Sequence, residues 1–314
     1  MDDLNVRLFG GISISEGQNL TADTFYQQAQ AALYEAEHSA LEQLKLYNPN
    51  THNAMVDRLR FQTEIRTALD RKQFTVFYQP IIDLHGRTIV GKEALIRWKH
   101  PVRGILTPGH FLTTAEQGGF IEEIGEFMLH EVCSQHKSWE KHGHDLGWVA
   151  VNISANHFRS PHFPSRVQSI LHTYGTPPNL LRIEITEDAM LSPTPEAIYN
   201  FQEVRNMGIR IAIDDFGTAY STLDYLVRYP METLKIDRTF IDDIDHDSRT
   251  AGLVRSLVGI GKNLSMAIVA EGVERSNQLD ILQAMGCTEA QGYLFSRPVP
   301  WEEYPQVALE LEKR

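Results

Sequence analysis

Between residues 75 and 295 the chain alternates two periodicities that few folds accommodate. Short runs of apolar and β-branched residues are separated by stretches with helical spacing. The runs cover residues 75–82, 88–95, 148–153, 181–186, 209–214, 233–236, 266–270 and 290–295. Roughly eight strands alternating with helices over about 240 residues is the arithmetic of a TIM-type barrel. One link breaks the pattern. Asp83-Leu84-His85-Gly86-Arg87 is too short for the dozen or more residues of a parallel crossover. The first two runs must form a hairpin, and the acid that ends the second, Glu93, marks the first as the reversed strand. The expected fold is α/β, a modified TIM-type (β/α)8 barrel with its first strand antiparallel.

What ends each run carries the chemistry. The second ends in Glu93, the third in Asn152, and the fourth carries Glu184 with Glu187 just beyond. The fifth ends in Asp214-Asp215, the sixth gives Lys235 and Asp237, and the seventh ends in Glu271 with Glu274 following. The C-terminal strand ends of a barrel converge on one mouth, where barrel enzymes keep their active sites. Two unit charges 4 Å apart cost about 4 kcal/mol at an effective dielectric of 20, so this many carboxylates require cations. A single strand-end acid commonly serves as a helix N-cap or a solvated rim residue. Six strand ends in register make that a poor account of the set. Carboxylates and one amide, without histidine or thiolate, form an all-oxygen donor set that selects Mg²⁺ or Mn²⁺ over zinc. Adjacent Asp214 and Asp215 suit a two-metal centre for phosphodiester cleavage, and Lys235 suits the attacking water or the charge of the transition state.

Charge narrows the partners. With 29 basic and 41 acidic residues the formal net charge is −12, which disfavours nucleic-acid polymers and anionic lipid. A phosphate ligand is compatible only where local cations reverse the sign. Two distant cysteines, Cys133 and Cys287, outside any CxxC spacing, read as core fillers in a reduced cytoplasmic compartment. No apolar run approaches the ~18 residues of a membrane span, and the first residues lack a signal-peptide pattern. Ahead of the barrel come a short β-like run at residues 6–9, the pair Gly10-Gly11 and a helix starting near Thr21. The turn-rich stretch 47–51 is the candidate linker before a second amphipathic helix.

Motifs in a fixed order add a family. Glu93-Ala94-Leu95 sits within Gly91-Lys92-Glu93-Ala94-Leu95-Ile96-Arg97-Trp98, after Tyr78-Gln79-Pro80-Ile81. Then follow Asn152-Ile153-Ser154, Glu184-Ile185-Thr186-Glu187, Asp214-Asp215-Phe216-Gly217-Thr218, Leu234-Lys235-Ile236-Asp237, Ala270-Glu271-Gly272-Val273-Glu274 and Gln291-Gly292-Tyr293-Leu294-Phe295. This series resembles the EAL domains, phosphodiesterases specific for cyclic di-GMP. The resemblance implies Mg²⁺- or Mn²⁺-dependent ring opening to linear pGpG, inhibition by Ca²⁺, and a homodimer. It places Glu93, Asn152, Glu184, Asp214, Asp215 and Glu271 on metal-ligand positions and Lys235 on the lysine that contacts the catalytic water, with Glu271 sharing the catalytic role. Gln79, Leu95 and Arg97 fall on substrate contacts. Glu187, Asp237, Glu274 and Gln291 fall behind the ligands, Glu187 anchoring the loop that runs from Asp214 to Leu223.

Two further readings follow from the resemblance. The family loop usually reads Gly-Tyr-Ser-Ser, whereas this chain has Ala219-Tyr220-Ser221-Thr222. A positive φ at position 219 would cost alanine on the order of 1 kcal/mol. Residues 29–37 resemble the last helix of a GGDEF domain, which divides the chain into a GGDEF remnant plus linker at 1–50 and an EAL domain at 51–314. The cyclase signature itself is absent. His142-Gly143-His144 reads as a helix stop rather than a metal motif, and His100 as a loop-shaping residue. Tyr225, Leu226 and Tyr229 form an apolar face near the family loop and suit either packing or a dimer interface. Domains of this family that have lost metal ligands act as cyclic di-GMP receptors. Retention of every ligand position favours the enzyme, and a metallohydrolase of another phosphodiester is the remaining alternative.

Overall fold

The computed structural model describes residues 8–14, 21–37, 43–144, 146–187, 194–217, 226, 229 and 231–313. Two compact units divide the chain, Met1–Thr67 and Ala68–Arg314. In the first, β1 (Gly10–Ile12) and β2 (Leu44–Leu46) pair in parallel and are joined through α1 (Ala22–Glu37). Gly11 permits that packing, because a Cβ there would fall 2.1 Å from the Ala29 carbonyl oxygen on α1. The turn-rich stretch expected as a linker is instead where α2 (Pro49–Asp70) begins. Proline is well suited to the first turn of a helix, where its missing N–H costs nothing.

The second unit opens with β3 (Phe74–Asp83) and β4 (Ile89–His100), followed by β5 (Gly104–Leu106), α3 (Leu112–Gln117) and α4 (Ile121–Lys141). Next come β6 (Trp148–Asn152), α5 (Ala155–Arg159), α6 (Phe163–Tyr174), β7 (Leu181–Thr186), α7 (Pro195–Asn206) and β8 (Arg210–Phe216). The chain continues through β9 (Thr233–Ile236), α8 (Arg238–Asp242), α9 (Ser248–Asn263), β10 (Ala267–Ala270) and α10 (Ser276–Met285). It closes with β11 (Glu289–Ala290), β12 (Val299–Pro300) and α11 (Tyr304–Leu311).

Eight of these strands close a barrel in the order β3-β11-β10-β9-β8-β7-β6-β4, with β4 returning to β3. The reversed first strand is present: β3 runs antiparallel to both β4 and β11, while the other barrel pairings are parallel. Two strand ends differ from expectation by several residues. β4 continues to His100, because beyond Ala94 it leaves β6 and pairs with β3 and β5 instead. Glu93 is therefore mid-strand, although it still marks where the barrel ladder ends. β11 holds two residues rather than the run 290–295. Gly292 packs on the Val273 backbone, where a Cβ would lie 2.1 Å from the carbonyl oxygen, and the chain turns there.

Apolar stripes on the outer helices cover the barrel, with Ile124, Met128 and Val132 of α4 all buried. Cys133 and Cys287 are free and buried. His142 caps α4 and Gly143 follows at φ +77°, a helix stop. His100 Nδ1 accepts from the backbone N–H groups of Val102 and Arg103, shaping the turn after β4. Leu226 and Tyr229 are buried, Tyr229 against Phe201, whereas positions 219 and 225 lie outside the described residues.

Inside the barrel, Gly91 lies beneath the indole of Trp148. A Cβ at position 91 would fall 2.3–2.6 Å from its ring atoms. Gly91→Ala is therefore expected to destabilise the chain by about 1–3 kcal/mol, as overpacking does. The measurement is a urea titration, with a lower midpoint at unchanged slope. An unchanged midpoint would show that Trp148 moves aside freely.

Candidate active site

Parallel strands carry in-register partners on a common face, and alternate strands of a barrel fill one interior layer. Glu93 on β4, Glu184 on β7 and Lys235 on β9 share such a layer at the C-terminal end of the parallel ladder. Lys235 is its centre. Its Nζ lies 2.6 Å from Glu271 Oε1, 2.7 Å from Glu184 Oε2, 3.0 Å from Asp214 Oδ1 and 3.7 Å from Glu93 Oε2. Lysine and Glu184 are each 1% exposed. Asn152 Nδ2 donates to Glu93 Oε1 at 2.6 Å, so all six expected metal-ligand positions except Asp215 join one continuous network.

Asp215 arrives by a different route. Adjacent residues on a strand normally point to opposite faces. Here the β8–β9 register shifts between Ile213 and Phe216, a β-bulge, and Asp215 takes φ +53°. Left-handed backbone is costly for most side chains and tolerated by aspartate. The bulge turns Asp215 towards Asp214, and oxygen atoms of Asp214, Asp215 and Glu271 lie within 4.8 Å of one another. No sequence signal separates this bulge from a regular strand end; the pair of acids is its trace.

A cavity of about 240 Å³ opens over this network, lined by Gln79, Glu93, Leu95, Asp214, Glu271 and Gln291 among others. Gln291 Nε2 donates to Glu93 Oε2 at 2.7 Å and to Gln79 Oε1 at 2.9 Å, holding the carboxylate between two amides. Arg97 sits one alternation beyond Leu95, outside the lining, with its guanidinium over Phe77 and Nη1 donating to the Ile96 carbonyl. Glu187 accepts from the Gly217 N–H at 3.0 Å, tying down the first residue after β8. Asp237 caps α8 through the Thr239 N–H, and Glu274 pairs with Arg238 at 3.0 Å. Arg238 and Tyr293 also line the cavity and were not singled out from the sequence. Their signal was position: one follows Asp237 at a strand end, the other stands at the centre of the motif that begins at Gln291.

The charges are strained. Burial pushes Glu184 up to about 8, opposed by Lys235 and reinforced by Glu93 and Asp214. Asp215 is pushed up to about 6 by burial and then by Asp214 and Asp237. Glu271 is also raised by burial. Burial works against the Lys235 ammonium, but four carboxylates outweigh it and hold its pKa well above the usual lysine range. One ammonium for this many acids leaves a net negative, all-oxygen pocket. That donor set fits divalent hard cations, and Asp214, Asp215 and Glu271 form a possible acidic metal-binding cluster.

The sequence matches the EAL domain family over residues 62–298. The chain belongs to the EAL domain family. A curated relative from Pseudomonas aeruginosa, the bifunctional diguanylate cyclase/cyclic di-GMP phosphodiesterase MucR, is 37% identical over 293 residues, 93% of this chain and 43% of its own length. The cyclic di-GMP phosphodiesterase NbdA of the same organism is 33% identical over 290 residues, 92% of this chain and 37% of its own length. The chain thus spans about two fifths of these relatives. Among solved structures, the MucR phosphodiesterase in complex with c-di-GMP is 40% identical with a TM-score of 0.74, covering 78% of this chain and 99% of that one. The EAL enzyme Bd1971, in its cAMP- and cyclic-di-GMP-bound form, is 29% identical with a TM-score of 0.77, covering 81% of this chain and 70% of that one.

The raised acids make stability depend on pH. Asp215 and Glu184 hold protons more tightly folded than unfolded. Their contribution is complete below about pH 4 and is lost as pH rises through the folded values. The melting temperature of metal-free protein should therefore fall between about pH 5 and 8. Saturating Mg²⁺ or Mn²⁺ should raise it most at the upper end, by binding only the folded form. A thermal-shift series flat in both metal and pH would contradict the cluster as described.

Proposed function

We propose that this chain hydrolyses cyclic di-GMP to linear pGpG, with Mg²⁺ or Mn²⁺ held by Glu93, Asn152, Glu184, Asp214, Asp215 and Glu271. The observation that carries the reading is the buried Lys235 ammonium among four carboxylates, directly beneath a cavity lined by Gln79, Glu93 and Leu95. Bound there, divalent cations would activate water and stabilise the leaving oxygen. The residues of the chain supply the rest. Lys235 donates hydrogen bonds towards an oxygen nucleophile and offsets negative charge as the phosphorus–oxygen bond to water forms and the ring bond breaks. Glu271, 2.6 Å from Lys235, accepts the proton the water gives up. Gln79 and Leu95 contact the substrate at the cavity wall, and Arg97 reaches a phosphate from the rim.

Substrate and activity are carried by family membership and by relatives named as cyclic di-GMP phosphodiesterases. The wider context belongs to the same proposal: a cytoplasmic homodimer, with residues 1–50 the end of a GGDEF domain and 51–314 the phosphodiesterase. Among the described residues no helix is long and apolar enough to cross a membrane.

Incubation with cyclic di-GMP and Mg²⁺, followed by chromatography, should show pGpG. Lys235→Ala removes a group that acts mainly in the transition state, so turnover should fall roughly 10²–10⁴-fold while calorimetry still registers ligand binding. Equal losses in binding and rate would remove the catalytic role from Lys235. A wild-type chain that binds without cleaving would make it a receptor.

A further inference from the structure

The layer below the site is unusual in being charged. Two residues before Glu93, Glu184, Lys235 and Gln291 stand Gly91, Arg182, Thr233 and Glu289. Alternation along each strand places them on the same face, one layer deeper. Arg182 of β7 and Glu289 of β11 form an ion pair at 3.6 Å. In the closed barrel three strands separate β7 from β11 in either direction, so the pair spans the interior from wall to opposite wall. The guanidinium lies 3.4 Å from the ring centroid of Trp148, whose indole fills the space that Gly91 leaves open.

Each partner depends on the other. Arg182 is 3% exposed, and its Nε and Nη1, like Glu289 Oε2, make no hydrogen bond to another described residue. Burial pulls the arginine pKa down and pushes the glutamate up, and each is opposed chiefly by its partner. The strand at one end of this contact is also the shortest in the barrel. Only Glu289 and Ala290 of β11 pair with β10 and β3. The next residue is Gln291, whose amide fixes both Glu93 and Gln79.

We propose that Arg182 and Glu289 are positioning residues, a cross-barrel strut that sets the height of β11 and thereby aims Gln291 at Glu93. The inference rests on the reading of the layer above as a metal-dependent centre, and its test separates the two. Arg182→Met leaves a buried carboxylate unpaired. Arg182→Met/Glu289→Leu replaces the pair with apolar groups, a change that commonly restores stability while removing the attraction between the two walls.

Two measurements decide the matter. Hydrogen exchange on metal-free protein should accelerate about tenfold or more at residues 289–292 in the double variant, with β8 and β9 keeping wild-type protection. Calorimetry with Mg²⁺ alone should show a dissociation constant raised about 10–100-fold, the usual effect of disturbing the partners of a metal ligand. Should the double variant fail to fold, Glu289→Gln, nearly the same shape, is expected to show the same local exchange and the same loss of Mg²⁺ affinity. A double variant with wild-type exchange at 289–292, or with uniformly faster exchange in every strand, overturns the strut. So does wild-type Mg²⁺ affinity in a folded variant. Absence of Mg²⁺ binding in the wild-type chain would sink the metal reading, leaving the strut to be decided by exchange at 289–292.

Discussion

The site depends on one buried ammonium. Without Lys235, Glu93, Glu184, Asp214 and Glu271 would face one another across a few ångströms of low-dielectric space, and folding would have to keep them protonated. With it, the carboxylates share one counter-charge and remain collectively negative. That remainder is a donor set that fits further cations. The lysine thus makes the acidic cluster foldable without neutralising it.

The same constraint explains why the surrounding structure is rigid in some places and strained in others. Glu93 is gripped by Asn152 on one oxygen and Gln291 on the other. Asp214 and Asp215 reach one pocket through a bulge that costs backbone energy at Asp215. Strain of this kind persists where the surrounding structure over-determines it, and it clusters at functional sites. Here the neighbouring fixture is Glu187, which holds the Gly217 N–H immediately after the bulge.

Much of this was legible in the sequence because periodicity and strand-end chemistry are local signals. The strands 181–186 and 233–236 have the expected bounds, and the five-residue link at 83–87 was enough to reverse β3. What was missed depends on distant contacts. β4 outruns its expected end because β5 folds back on it, and β11 stops short because Gly292 meets the Val273 backbone. Arg182 and Glu289 drew no notice, since 107 positions separate them and nothing in either neighbourhood announces the other. Arg238 was hidden for a similar reason: its role at the cavity wall depends on Glu274 from the following strand end.

The reversal of β3 has a mechanical meaning. In a barrel with every strand parallel, the incoming polypeptide enters at the end remote from the chemistry. Here Phe74, the first residue of β3, pairs with Trp98, on the part of β4 that projects past Glu93. The chain therefore enters at the rim of the acidic mouth. Any tension or torsion arriving along the backbone meets β4 within a few residues of Glu93, with no need to cross the barrel. The start of β3 and the acidic mouth lie at the same end of the barrel.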